Sequence, residues 1–236
     1  MLVNFFYNGK GSREFGLRIT DRVGYGLPKP DYDFTSVPGR SGDIVTYNNR
    51  FENYELTYSV WAPCPSRNFS DKMREIKSWL SEHKTYSKLS DTFTPDYYRE
   101  AVFTEISDPK ITATVIEFDI TFNCKPYLHR VDGDKWLNLS GTGKFINPEF
   151  YSSLPIIEAT LPNNDAIGTF SINNSTITVS GCTHIIIDCE TQNAYFEGQN
   201  LNSKVNTALV ELCSGENNYQ IEGFSEFNLK PRWRTL

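Results

Sequence analysis

Ile116-Glu117-Phe118-Asp119-Ile120-Thr121-Phe122-Asn123-Cys124 is the longest regular pattern in the chain: Ile116, Phe118, Ile120, Phe122 and Cys124 alternate with Glu117, Asp119, Thr121 and Asn123. Successive side chains of a strand point to opposite faces, so this period of two predicts a strand with one face in a core and the other in water. The pattern ends at Lys125-Pro126. Upstream, Tyr54, Leu56, Tyr58 and Val60 alternate with Glu55, Thr57 and Ser59, which predicts a second half-buried strand. Between the two strands the period changes. After Asn68 or Ser70 as a cap, Met73, Ile76, Trp79 and Leu80 fall on one helical stripe, with Lys72, Arg74, Glu75 and Lys77 outside it. One amphipathic helix is expected over residues 68–80.

After His129, Val131-Asp132-Gly133-Asp134 is polar and rich in turn formers, which places a domain boundary near residue 130. Charge agrees. Residues 1–130 hold 17 Lys+Arg and 17 Asp+Glu, whereas residues 131–236 hold 6 and 12 and so carry the whole net charge of −6. Beyond the boundary, short strand-like pieces alternate with turn chemistry. They are 170–172, 176–179 after an Asn173-Asn174 turn, 184–189, 194–196, 209–212 and 219–229. Short strands at this spacing, with no helical period among them, predict a β-sandwich or barrel. The expected fold is therefore mainly β: an N-terminal domain, 1–130, with one α-helix, and a C-terminal β-sandwich, 131–236.

Composition narrows the function. The chain is 39% hydrophobic and 14% aromatic, with 16 Phe and 13 Tyr spread among Thr, Ile and Val, which suits a folded β-rich protein. An acidic chain without a basic run lacks the phosphate-neutralising charge on which nucleic-acid affinity rests, so no sequence-specific nucleic-acid binding is expected. The N-terminal residues have no signal-peptide pattern and no run reaches the ~20 apolar residues of a membrane span, so synthesis in a cytoplasm and no membrane insertion are expected. Cys64, Cys124, Cys182, Cys189 and Cys213 are odd in number and lack a C-x-x-C pair, and are read as reduced structural thiols.

Catalytic signals are weak. His83, His129 and His184 have no ligand-type residue at the spacings that helical metal sites use, and no metal or other cofactor is expected. Gly9-Lys10-Gly11-Ser12 lacks the first glycine of a phosphate loop and is read as a polar turn, and no G-x-S-x-G occurs. No residue is put forward as catalytic.

Several ordered motifs then resemble one family, the distal tail (Dit) proteins of siphophages. They are Val37-Pro38-Gly39-Arg40-Ser41-Gly42-Asp43, then Asn48-Asn49-Arg50-Phe51-Glu52-Asn53 before the Tyr54 strand. Tyr86-Ser87-Lys88-Leu89-Ser90-Asp91 and Pro95-Asp96-Tyr97-Tyr98-Arg99-Glu100-Ala101 follow the helix, and Phe122-Asn123-Cys124-Lys125-Pro126-Tyr127 closes the first domain. In the second, Ser153-Leu154-Pro155-Ile156-Ile157, His184-Ile185-Ile186-Ile187-Asp188-Cys189-Glu190 and Leu229-Lys230-Pro231-Arg232-Trp233-Arg234 are similar to the family. Gly215-Glu216-Asn217-Asn218 departs from it by lacking a proline before its glycine.

The resemblance implies a non-catalytic virion protein. It implies an N-terminal β-sandwich with one helix that assembles into a hexameric ring, and a galectin-like C-terminal sandwich displayed outside that ring. The ring would join the tail tube protein to the tail-associated hub protein and to receptor-binding proteins. Its place would be the virion tail tip, after assembly in the bacterial host cytoplasm. The candidate interaction residues are Pro38, Gly39, Arg40 and Asp43, in a hairpin loop that reaches a neighbour or the lumen, with Arg40 and Asp43 able to pair across neighbours. Arg232 and Trp233 are added as either an exposed docking tail or a segment folded back into the sandwich. A rival reading is a carbohydrate-binding tail module. It would use a wet sandwich face carrying Trp, Asn, His and Arg, although Trp136 and Trp233, the second domain's tryptophans, sit in no obvious cluster of such residues.

Overall fold

The computed structural model describes residues 3–24, 26–64 and 68–236, and its internal contacts divide the chain into two units, one up to Leu128 together with Leu236 and one from His129 to Thr235. The protein is mainly β. In the first unit the strands are β1 (Phe5–Tyr7), β2 (Lys10–Gly11), β3 (Arg18–Val23), β4 (Pro30–Thr35), β5 (Ile44–Phe51), β6 (Tyr54–Pro63), β7 (Ser87–Asp91), β8 (Tyr97–Ile106), β9 (Lys110–Ile111) and β10 (Val115–Arg130), with helix α1 (Phe69–Leu80) after β6. The main sheet runs β2-β1-β7-β8-β10-β6-β3, with β9 also on β10.

The β6 and β10 strands expected from alternation are paired antiparallel from Val115↔Pro63 to Cys124↔Tyr54. Their apolar residues are all buried or nearly so, while Ser59 and Asp119 hydrogen-bond each other on the wet face. β10 continues through Pro126, which lies past its last pair with β6, so the missing N–H costs no bond in that ladder. Phe5 of β1 stacks on Tyr58 of β6 at 4.7 Å, although β7, β8 and β10 lie between them in the sheet. The sheet therefore curls on itself so that its ends face each other. The helix fills the remaining gap with Met73, Ile76, Trp79 and Leu80, and Trp79 lies between Phe5 and Phe15 at 5.7 and 4.1 Å. Gly9-Lys10 is part of a tight hairpin: Asn8 and Gly9 both have positive φ, 50° and 79°, between the paired Tyr7 and Lys10.

A buried polar cluster staples four strands of this unit. Asp91 at the end of β7 accepts from Arg22 Nη1 of β3 at 2.7 Å and from the Tyr58 hydroxyl of β6 at 2.6 Å, and Arg99 Nη1 of β8 is 3.6 Å away. Its other oxygen accepts from the backbone N–H groups of Phe93 and Thr94 and from the Thr94 hydroxyl. Burial alone would raise the Asp91 pKa, but the Tyr58 hydrogen bond and the two guanidiniums outweigh it and hold the value below the usual one.

The second unit is a sandwich of two antiparallel sheets. Its strands are β11 (Leu137–Asn138), β12 (Thr142–Asn147), β13 (Ile156–Thr160), β14 (Ile167–Ile172), β15 (Ser175–Ser180), β16 (His184–Asp188), β17 (Asn193–Phe196), β18 (Gln199–Asn200), β19 (Gly215–Glu222) and β20 (Glu226–Lys230). One sheet is ordered β11-β20-β13-β16-β17-β18 and the other β12-β19-β14-β15. Phe170 and Phe227, one from each sheet, meet at 4.7 Å in the core. The piece read as 219–229 is two strands, because Gly223 turns the chain with φ +77°. Leu212 forms only a single bridge, to Ser153, so 209–212 is not a strand.

Candidate functional site

The feature that stands apart from both cores is the β4–β5 hairpin. Among the described residues it pairs only with itself, in a two-stranded sheet of its own. Val37-Pro38-Gly39-Arg40 forms a turn in which the Arg40 N–H donates to the Val37 carbonyl at 3.1 Å and Gly39 has φ +80°. Proline at the second position and a positive-φ glycine at the third are what a type II turn requires. Gly42, at φ +86°, bends the chain back toward Ile44. Pro38, Gly39, Arg40 and Asp43 thus all sit at the exposed tip, and among the described residues Arg40 and Asp43 form no ion pair with each other or with any other side chain.

The register Tyr32↔Tyr47 and Phe34↔Val45 puts these four side chains on one face of the ribbon. Their exposures are 45, 40, 65 and 55% respectively. The rings of Tyr32 and Tyr47 meet at a tilt, with centroids 5.4 Å apart, and Phe51 at the root contacts Tyr127 of β10 at 6.1 Å, which anchors the ribbon to its own unit. The opposite face is polar. Asn48 donates to Asp31 and Asp33 at 3.2 and 3.0 Å, and Arg50 donates to Asp31 at 2.5 Å. Hydrogen bonds from Arg50, then Asn48, draw the Asp31 pKa below its usual value. An amphipathic two-stranded ribbon is at best marginally stable in water by itself. The polar face is satisfied within the ribbon; among the described residues no other strand of the chain pairs with the ribbon, and its aromatic face stays half exposed.

The chain shares its fold with phage tail proteins. The crystal structure of the SPP1 Dit protein (gp 19.1), described as a paradigm of the hub adsorption apparatus in phages infecting Gram-positive bacteria, superposes with a TM-score of 0.78. The match covers 100% of both chains at 10% sequence identity. A chain of the phage P2 baseplate, in its activated conformation with Ca, matches at a TM-score of 0.54, 10% identity and 97% coverage of each chain. No protein-family model matches the sequence, and no curated protein sequence matches it significantly.

Arg232 and Trp233 belong elsewhere. Trp233 is 7% exposed and packs against Phe145 at 6.0 Å in the second core. Arg232, at φ +54°, donates to the Leu154 carbonyl at 2.9 Å and pairs with Glu190 at 2.5 Å and Asp188 at 3.3 Å. Of the two alternatives for this segment, the structure has the fold-back, and an exposed docking tail built on Trp233 is corrected. Gly133 makes room for it: a Cβ there would lie 2.5 Å from the Trp233 nitrogen. Sequence reasoning found the hairpin's tip and missed its aromatic face, although Tyr32 and Phe34 alternate with Asp31 and Asp33.

Proposed function

We infer that this protein is a structural, non-catalytic subunit of the distal tail hub of a long-tailed bacteriophage or prophage, working as a homo-oligomeric ring at the virion tail tip. The observation that carries the reading is full-length likeness to the SPP1 hub protein. The exposed aromatic ribbon supports the oligomeric part, because a closed ring needs one surface of each subunit to seat on a different surface of the next. Four large apolar side chains on one ribbon face form a patch of the kind that marks protein contact sites.

In this reading six subunits form the ring, as the sequence resemblance implies. The ring lies between the tube protein and the tail-associated hub protein, and the second sandwich is the platform for receptor-binding proteins. On the polar face of the ribbon Asp31 is paired with Arg50 and Asp33 accepts from Asn48, so docking the apolar face leaves these contacts in place. The test is a Phe34→Ser, Tyr47→Ser double variant. Both residues are exposed and outside the cores, so the monomer should keep its unfolding midpoint while the oligomer dissociates. An oligomer unaffected by the double variant would remove the ribbon from the interface.

A further inference from the structure

The amides of the second sandwich are mostly engaged. Asn147, Asn173, Asn202, Asn206 and Asn217, for example, hydrogen-bond backbone or other side chains that close loops. One place differs. A depression of about 320 Å3 opens beside the β16–β17–β18 end of the six-stranded sheet, with Asn164, His184, Phe196, Glu197, Gln199 and Lys204 around it. Among the described residues, the side chains of Asn164, Glu197, Gln199 and Lys204 make no hydrogen bond or ion pair. Its aromatic wall is built: the His184 ring lies nearly parallel to Phe196 at 5.3 Å and 21°, and His184 Nδ1 is 3.2 Å from the Thr160 hydroxyl, which fixes the ring. Leu201 and the buried Cys182 form the apolar floor.

We propose that this depression binds an uncharged saccharide, the terminal unit of a neutral surface glycan. The volume sits at the small end of the roughly 300–1,000 Å3 range of small-molecule sites. Sugar hydroxyls donate and accept at once, and the rim offers both kinds of partner: two amides that do each, a carboxylate that only accepts and an ammonium that only donates. The flat His184–Phe196 stack suits the C–H face of a sugar ring. One Lys and one Glu leave no net charge on the rim, which disfavours phosphorylated or carboxylated ligands. The rim side chains are largely exposed, so each site should bind only at millimolar concentration. Several copies on one assembly would supply avidity of about 10²–10⁴ over a single site. Neither tryptophan takes part: Trp233 is in the core and Trp136 carries Lys230 over its ring at 4.6 Å on another part of the sheet.

The experiment is ligand-observed saturation-transfer NMR on the full chain with glucose, galactose, N-acetylglucosamine and rhamnose as probes, alongside Gln199→Ala and Phe196→Leu variants. It works for a monomer or a large ring, so a negative result bears on this pocket and leaves the assembly reading standing. The expected result is saturable transfer to at least one of the four sugars at millimolar concentration, weakened several-fold by Gln199→Ala and more by Phe196→Leu. No saturable transfer to any of them overturns the proposal. So does transfer that both variants leave unchanged, or transfer abolished by inorganic phosphate, which would mark an anion site instead.

Discussion

Asp91→Asn is the sharpest test of how the first unit is held together. The carboxylate compensates two buried guanidiniums, Arg22 and Arg99, whose side chains are 2 and 4% exposed, and its own side chain is fully buried. The amide keeps the shape and removes the negative charge, leaving both cations in low dielectric. Removing one partner of a buried pair costs about 3–5 kcal/mol. Against a domain stability of roughly 5–15 kcal/mol this is a large fraction, and it should lower the midpoint of that unit by about 10 °C or more. The assay is urea and thermal unfolding followed by the fluorescence of Trp79 in the first core and Trp233 in the second, since each unit has its own core. The first transition should move and the second should not. The pH dependence follows from the sign of the shift. The folded Asp91 pKa lies below its usual value, so the stabilisation is complete above about pH 4, the ordinary aspartate value, and vanishes as pH falls through the lower, folded value. The stabilities of wild type and variant should therefore converge in acid. A loss below about 1 kcal/mol at neutral pH, or one that does not shrink in acid, would refute the reasoning.

Other expectations concern single positions. Gly223→Ala should destabilise the second sandwich by at least ~1–3 kcal/mol in urea unfolding, because φ there is +77° and a Cβ would lie 2.0 Å from the Ile167 carbonyl oxygen. Trp233→Ala should cost about 3–5 kcal/mol in the same transition, as deletion of a buried aromatic does, and an effect under about 1 kcal/mol would return this residue to the surface. In a thiol titration of the native protein at pH 8, Cys213 should react fast, because it alone of the five cysteines is exposed. Cys124 and Cys189 should stay silent until unfolding, since burial pushes their thiols up to about 12 and about 11.

Strands β6 and β10 and helix α1 were legible in the sequence for one reason: each has one face in a core, so its period is written in residue polarity. The β4–β5 ribbon was not, apart from its turn at Val37–Arg40. Its aromatic face meets no core of its own chain, and burial arguments find only what the chain itself buries. The Arg22–Asp91–Arg99 cluster was invisible because its members lie 69 and 8 positions apart on three strands and carry no local signal. The segment 219–229 was read as one strand because its polarity runs on across Gly223, where only a backbone turn separates β19 from β20. Trp233 was ambiguous for a similar reason: a Pro-Arg-Trp-Arg segment suits either a docking tail or a plug, and the space opened by Gly133 decides for the plug.

The central claim is that this chain builds a closed ring, and the solution mass of the purified protein measures that most directly. Light scattering over a concentration series, with negative-stain imaging of the largest species, should show a discrete particle of about six times 27.0 kDa with a central hole. A strictly monomeric protein at every concentration, or open-ended chains of undefined length in place of closed particles, would contradict it.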